Sequence, residues 1–203
     1  MGKKIGIIVL MLLCWSIKAQ EKENRFAVGF NYGFGSEFEN RNYTFENHFY
    51  KGQIRYLLKK TKHFQYEILV QPEVNFGKHQ LLNFYFVKPD TPDYLEKRAE
   101  YTKLKNVHEY VLNLGFLFRK PVNQMVSIYV LVSVGPMITD TETERMSDGF
   151  AFADVAAFGL SLKIEKLQLD IRPSIRHVSN AGLGADNAGY NTRNIEFGVL
   201  YSL

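Results

Sequence analysis

The sequence predicts an all-β protein, an eight-stranded antiparallel transmembrane β-barrel. Three observations predict it. Apolar residues alternate with polar or small ones, segment after segment, with little helical periodicity. The connections between those segments alternate in length, short then long, as in outer-membrane barrels with short periplasmic turns and long outer loops. The segments run roughly ten residues, the length a tilted strand needs to cross the hydrocarbon, and no window after residue 19 is apolar enough for long enough to be a spanning helix.

The elements come in order along the chain. Phe26, Val28, Phe30, Tyr32 and Phe34 interleave with Ala27, Gly29, Asn31 and Gly33 in the first segment, and a second falls near residues 48–58. Phe64, Tyr66, Ile68 and Val70 mark the third; Tyr110, Leu112, Leu114, Phe116 and Phe118 the fourth; Val126, Ile128, Val130, Val132 and Val134 the fifth. Segments near 150–163 and 166–179 and a last one carrying Ile195, Phe197, Val199, Tyr201 and Leu203 complete eight. Short turns are expected near 60–62, 120–124 and 164–165, and long loops near 35–47, 76–105, 136–148 and 180–190. Pro72 and Pro173 remove ladder hydrogen bonds, and Pro173 offers a place for a bulge, which would reverse the facing of the residues after it.

Residues 1–19 read as a secretory signal peptide. Lys3 and Lys4 form a basic start, Ile5 to Leu13 an apolar run, and Ala19 a small residue before Gln20. Residues 20–203 then form one barrel domain. Three lysines leave with the signal and no acid does, so the formal charge of +4 falls to +1. The basic balance therefore belongs to targeting and does not point to nucleic acid. Cys14 and Trp15 leave too, which excludes disulfides and thiol chemistry from the mature chain. No phosphate-binding glycine loop or Cys/His cluster is present, so no cofactor and no metal is expected. A soluble lipocalin-like barrel binding hydrophobic ligands would show the same alternation with its apolar face turned inward.

A candidate catalytic group sits near the C-terminus. Continuing the alternation of Leu167, Leu169, Ile171, Pro173 and Ile175 puts His177 and Ser179 on the apolar, lipid-facing side, about 7 Å apart along the strand. Asn191 has the outward parity of Ile195 and Phe197 on the next strand. Polar side chains on a lipid face are costly unless they have a function. A serine becomes a nucleophile when an imidazole takes its proton, and the imidazole needs a partner on its other nitrogen. Asn191 offers that partner, and Asn180 a donor to a developing oxyanion. The plain alternative is a polar strand end leading into an Asn/Gly turn.

The segment His177-Val178-Ser179-Asn180-Ala181-Gly182, followed by Asn187, Gly189 and Asn191, resembles the C-terminal motif of the lipid A 3-O-deacylase (acyloxyacyl hydrolase) family. That family comprises eight-stranded outer-membrane barrels with a His/Ser/Glu triad on the outer barrel surface. It removes the ester-linked 3-hydroxyacyl chain from position 3 of lipid A. The resemblance implies His177 as general base, Ser179 as nucleophile and Asn180 as oxyanion donor. It also implies lipid A, or lipopolysaccharide, as partner and an active site facing the outer leaflet. The family's acidic member falls on Asn191, an amide that orients histidine but carries no charge. A non-catalytic barrel or adhesin is the alternative, and the oligomeric state stays open.

Other polar residues are read structurally. Glu67, Glu73 and Glu109 share the interior parity and are expected to pair with Arg or Lys across the lumen, and Glu196 points inward with them. His48, His63, His79 and His108 have no ligand-like spacing. Asp140, Glu142 and Glu144 offer a cation site bridging lipopolysaccharide phosphates.

Overall fold

The computed structural model describes residues 25–203 apart from Glu39 and Ala185; the expected signal peptide lies outside the described residues. Eight strands run in sequence order: β1 (Phe26–Glu37), β2 (Tyr43–Lys60), β3 (Gln65–Leu81), β4 (Lys105–Pro121), β5 (Val126–Thr139), β6 (Gly149–Ile164), β7 (Leu167–Ser179) and β8 (Tyr190–Ser202). Each pairs antiparallel with the next, and β8 pairs with β1, so the sheet closes and leaves no edge. The turns 61–64, 122–125 and 165–166 lie at one end; the loops 38–42, 82–104, 140–148 and 180–189 lie at the other.

The strands, 12 to 18 residues long, exceed the ten or so expected from the sequence. Their extra residues extend the hairpins at the loop end, so the expected loops at 35–47 and 76–105 shrink to 38–42 and 82–104. The second of these folds into a 3₁₀ turn (Phe84–Phe86) and a short helix, α1 (Tyr94–Tyr101). No bulge occurs at Pro173. The β6–β7 register is the same on both sides of it, and β7 alternates buried and exposed through to Ser179. Proline on the outward row loses one ladder bond without displacing its neighbours. A bulge lies instead in β2, between Leu57 and Lys59.

Facing follows the pleat. Outward positions carry Phe30, Ile54, Leu114, Val132, Phe158 and Phe197, all exposed. Inward positions are polar, small or packed, and the lumen is filled. Glu67 is held by Arg55 at 2.9 Å and Arg119 at 2.8 Å. Lys51 reaches Glu73 and Glu196 at 3.2 and 3.3 Å, and Arg172 bonds Glu196 at 2.6 Å. Arg176 joins Glu109 at 2.8 Å and Glu73 at 3.4 Å. The carboxylates expected in the lumen, Glu196 included, are thus paired there. Below them Leu69, Leu117, Tyr129, Leu131 and Ala157 close the short-turn half, with Gly159 clearing the Tyr129 ring, which a Cβ would meet at 2.0 Å. Above them Tyr43, Phe45, Met137, Met146, Val178 and Tyr190 plug the loop end.

Candidate active site

The uninterrupted alternation of β7 carries His177 and Ser179 to the outer wall, His177 exposed and Ser179 half-buried. In the β7–β8 ladder His177 lies directly opposite Asn191. Their side chains meet: His177 Nδ1 and Asn191 Oδ1 are 2.8 Å apart. A carboxamide oxygen only accepts, so Nδ1–H donates and the lone pair is left at Nε2, the nitrogen free to take a proton. Among the described residues no hydrogen bond joins Ser179 Oγ to the imidazole. The two converge nonetheless beneath Gly189. A Cβ built there would lie 3.6 Å from both His177 Cε1 and Ser179 Cβ, and 2.6 Å from the Val178 carbonyl oxygen. With φ at +59°, Gly189 is held in the left-handed region, so both its conformation and its close approach call for glycine.

Asn180 lies elsewhere. It is buried at 1% exposure, on the inward row, and it organises the 180–189 loop. Its backbone N–H donates to Asn187 Oδ1 at 2.9 Å and its Nδ2 to the Asp186 carbonyl at 2.8 Å. Its Oδ1 accepts from Gly182 N at 3.0 Å. The expected oxyanion donor is therefore committed to the turn, because residue 180 falls one step past Ser179 and the pleat sends it inward. The turn chemistry of the plain alternative is what Asn180 does; His177 and Asn191 meet on the wall, and Ser179 follows His177 on the same outward row.

The loop over this group is clamped from the 140–148 loop. Arg145 Nε donates to the Gly189 carbonyl at 2.7 Å and Nη2 to that of Ala188 at 3.0 Å, while Gly189 N donates to the Arg145 carbonyl at 3.1 Å. The guanidinium sits over the rings of Tyr43 and Phe86 at 4.8 and 5.1 Å. Met146 bridges Asn187, and Asp186 N donates to Ser147 Oγ at 3.2 Å.

The cation site offered by Asp140, Glu142 and Glu144 does not form. Asp140 accepts from His108 and Thr141, Glu142 from the Tyr101 hydroxyl, and Glu144 Oε2 lies 2.7 Å from His79 Nε2. Each carboxylate has its own partner, and among the described residues no cluster fit for a metal is found. Burial would raise Asp140, but the Thr141 hydroxyl and the N–H and imidazole of His108 together hold it below the usual carboxylate range. Burial first, and Glu142 second, push the Tyr101 hydroxyl up.

Two residues of the outer wall escaped sequence reasoning. Asp154 is exposed on β6, directly opposite His177, and Arg193 is exposed on β8, directly opposite Ile175. Asp154 interrupts the outward run Phe150, Phe152, Ala156, Phe158 and Leu160, a signal available from parity alone. Charges on the lipid face of a barrel cost up to about 2–4 kcal/mol at mid-bilayer and about 0–1 near the interface. Both residues lie in the loop half of the wall, toward the cheaper end of that range.

Comparison with known proteins adds three findings. Residues 26–199 match the family described as lipid A 3-O-deacylase (PagL). The barrel is similar to the crystal structure of the outer membrane enzyme PagL, with TM-score 0.52 and 11% identity over 84% of this chain and 97% of that one. It is also similar to the crystal structure of Neisserial surface protein A (NspA), with TM-score 0.49 and 13% identity over 88% of this chain and 97% of that one. At such identities the structural likeness is one of fold. No curated protein matches the chain in sequence.

Proposed function

The chain belongs to the lipid A 3-O-deacylase family, and we propose that it acts as an outer-membrane serine esterase removing the ester-linked 3-hydroxyacyl chain of lipid A. The observation that carries this reading is the hydrogen bond from His177 to Asn191 on the lipid-facing wall, beside Ser179. It supports Nε2 as the base, and the outward parity of Ser179 supports a nucleophile that works among acyl chains, where a soluble substrate would not arrive.

In this mechanism Ser179 Oγ bonds to the ester carbonyl carbon as its proton passes to His177 Nε2. The tetrahedral intermediate collapses by breaking the bond to the sugar oxygen, which takes the proton from His177. Water then attacks the acyl-serine, with His177 again accepting and returning a proton, and the 3-hydroxy fatty acid leaves. The scissile ester lies at the loop end of the wall, with the acyl chain along the aliphatic surface below it and the site open to the outer leaflet. Residues 1–19 serve as the secretory signal that brings the chain to that membrane.

The neutral Asn191 favours a second reading, a barrel of this family without activity. Mass spectrometry of lipid A from cells expressing the chain, beside Ser179→Ala and His177→Ala, decides between them. The expected result is one 3-hydroxyacyl chain lost with the native chain and none with either variant. An unaltered lipid A in all three samples would overturn the esterase reading.

A further inference from the structure

We propose that Asp154 is a positioning residue for His177, supplying from β6 the negative charge that Asn191 on β8 lacks. The inference rests on the reading of His177 and Ser179 as the working pair. One rung of the barrel carries it: Val70, Leu114, Val134, Asp154, His177 and Asn191 are successive cross-strand partners from β3 to β8. Half of that rung is aliphatic, as a lipid-facing wall requires. The other half is a carboxylate, an imidazole and an amide side by side.

Directly opposed side chains on one face stand about 4.5–5.5 Å apart at Cβ. Asp154 and His177 also line a common groove on the wall with Ala156 and Ile175. Asp154 makes no hydrogen bond or ion pair among the described residues, unlike the lumen carboxylates, so it has no structural task. An ionisable side chain facing lipid without a structural task points to function. Asn191 holds the Nδ1–H and fixes the tautomer. Asp154 stabilises the imidazolium formed when Nε2 takes the Ser179 proton.

The other charged groups on the elements around His177 are few. Arg193 on β8 lies opposite Ile175, toward the short-turn end of β7. Arg145 of the 140–148 loop is occupied with the Gly189 and Ala188 carbonyls. Asp148 belongs to that loop, and Asp186 to the loop above His177. Asp154 is the acid that sits directly across from the imidazole in the ladder.

The test uses the full chain folded in detergent micelles and two readouts. First, the His177 imidazole is titrated by NMR in the Ser179→Ala background. Asp154→Asn should move the midpoint to lower pH by about half a unit or more, since an opposite charge is removed. An unmoved midpoint overturns the proposal. Second, deacylation of lipid A is followed against pH. Asp154→Asn should lower kcat about tenfold, shift the acidic limb to lower pH and leave KM nearly unchanged, and adding Asn191→Glu should recover most of the loss. A moved midpoint with kcat unchanged also overturns it. Should the native chain fail to cut lipid A, the esterase reading falls while the titration still decides whether Asp154 and His177 are coupled. Asp154→Ser repeats the test if the asparagine variant does not give the folded, heat-modifiable form.

Discussion

The lumen and the outer wall both carry charged and polar side chains, and they use them in opposite ways. In the lumen Glu196 is bound by Arg172 and Lys51 and accepts from Ser174 at 2.9 Å, while Glu67 is shared by Arg55 and Arg119. Such groups brace the strands across the barrel, and removing one strands its partner in a dry interior. On the wall, His177, Asn191, Ser179 and Asp154 cross-link nothing beyond a pair of neighbouring strands already joined by their backbone ladder. Deleting them leaves no buried charge behind. The difference teaches where function resides: polar groups that the fold does not need are the ones available for chemistry.

The comparison breaks most visibly at the nucleophile. Ser179→Ala or His177→Ala should lower deacylation by at least about a thousandfold, because the residues of such a group act as a unit. The urea midpoint of the barrel in micelles should not move. The reverse pattern is expected for Arg172→Ala. It leaves Glu196 buried with one cation fewer and should destabilise the barrel by about 3–5 kcal/mol, while molecules still folded keep their activity per mole.

Smaller effects sharpen the contrast. Asn191→Glu sets a carboxylate against His177 Nδ1 and should raise kcat about tenfold or more, read by lipid A mass spectrometry at fixed time, with no gain in stability. Arg145→Ala removes charge-assisted bonds of about 1.5–3 kcal/mol from the loop above the site. Deacylation should fall several-fold while the urea midpoint shifts little, and faster hydrogen exchange at Gly189 would report the cause. The smallest effect concerns pH. Asp140 is held below its unfolded value, so its contribution to anchoring the 140–148 loop is present above that value and lost as pH falls through the folded one. Exchange in this loop should therefore quicken below about pH 4, and Asp140→Asn should remove that dependence.

Much of this arrangement is legible along the chain. Period-two alternation places Phe30, Leu114 and Val132 outside and Glu67, Glu109 and Glu196 inside, and the structure agrees at each. It also carries His177, Ser179 and Asn191 to the wall. Asn180 is misread when the motif is followed across a strand end, where the pleat turns residue 180 inward and the turn claims its amide. The bulge that Pro173 offered does not form, because an outward proline can lose its bond without shifting the ladder.

The sequence by itself determined the facing of each side chain, since in a strand that depends only on the parity of neighbours a few residues away. The tertiary structure decided which side chains stand beside one another. Asp154 meets His177, and Arg145 reaches Gly189, through strand register and loop packing, which depend on residues far apart in the chain. Parity is local and can be read from a segment; register is set only when the whole sheet closes.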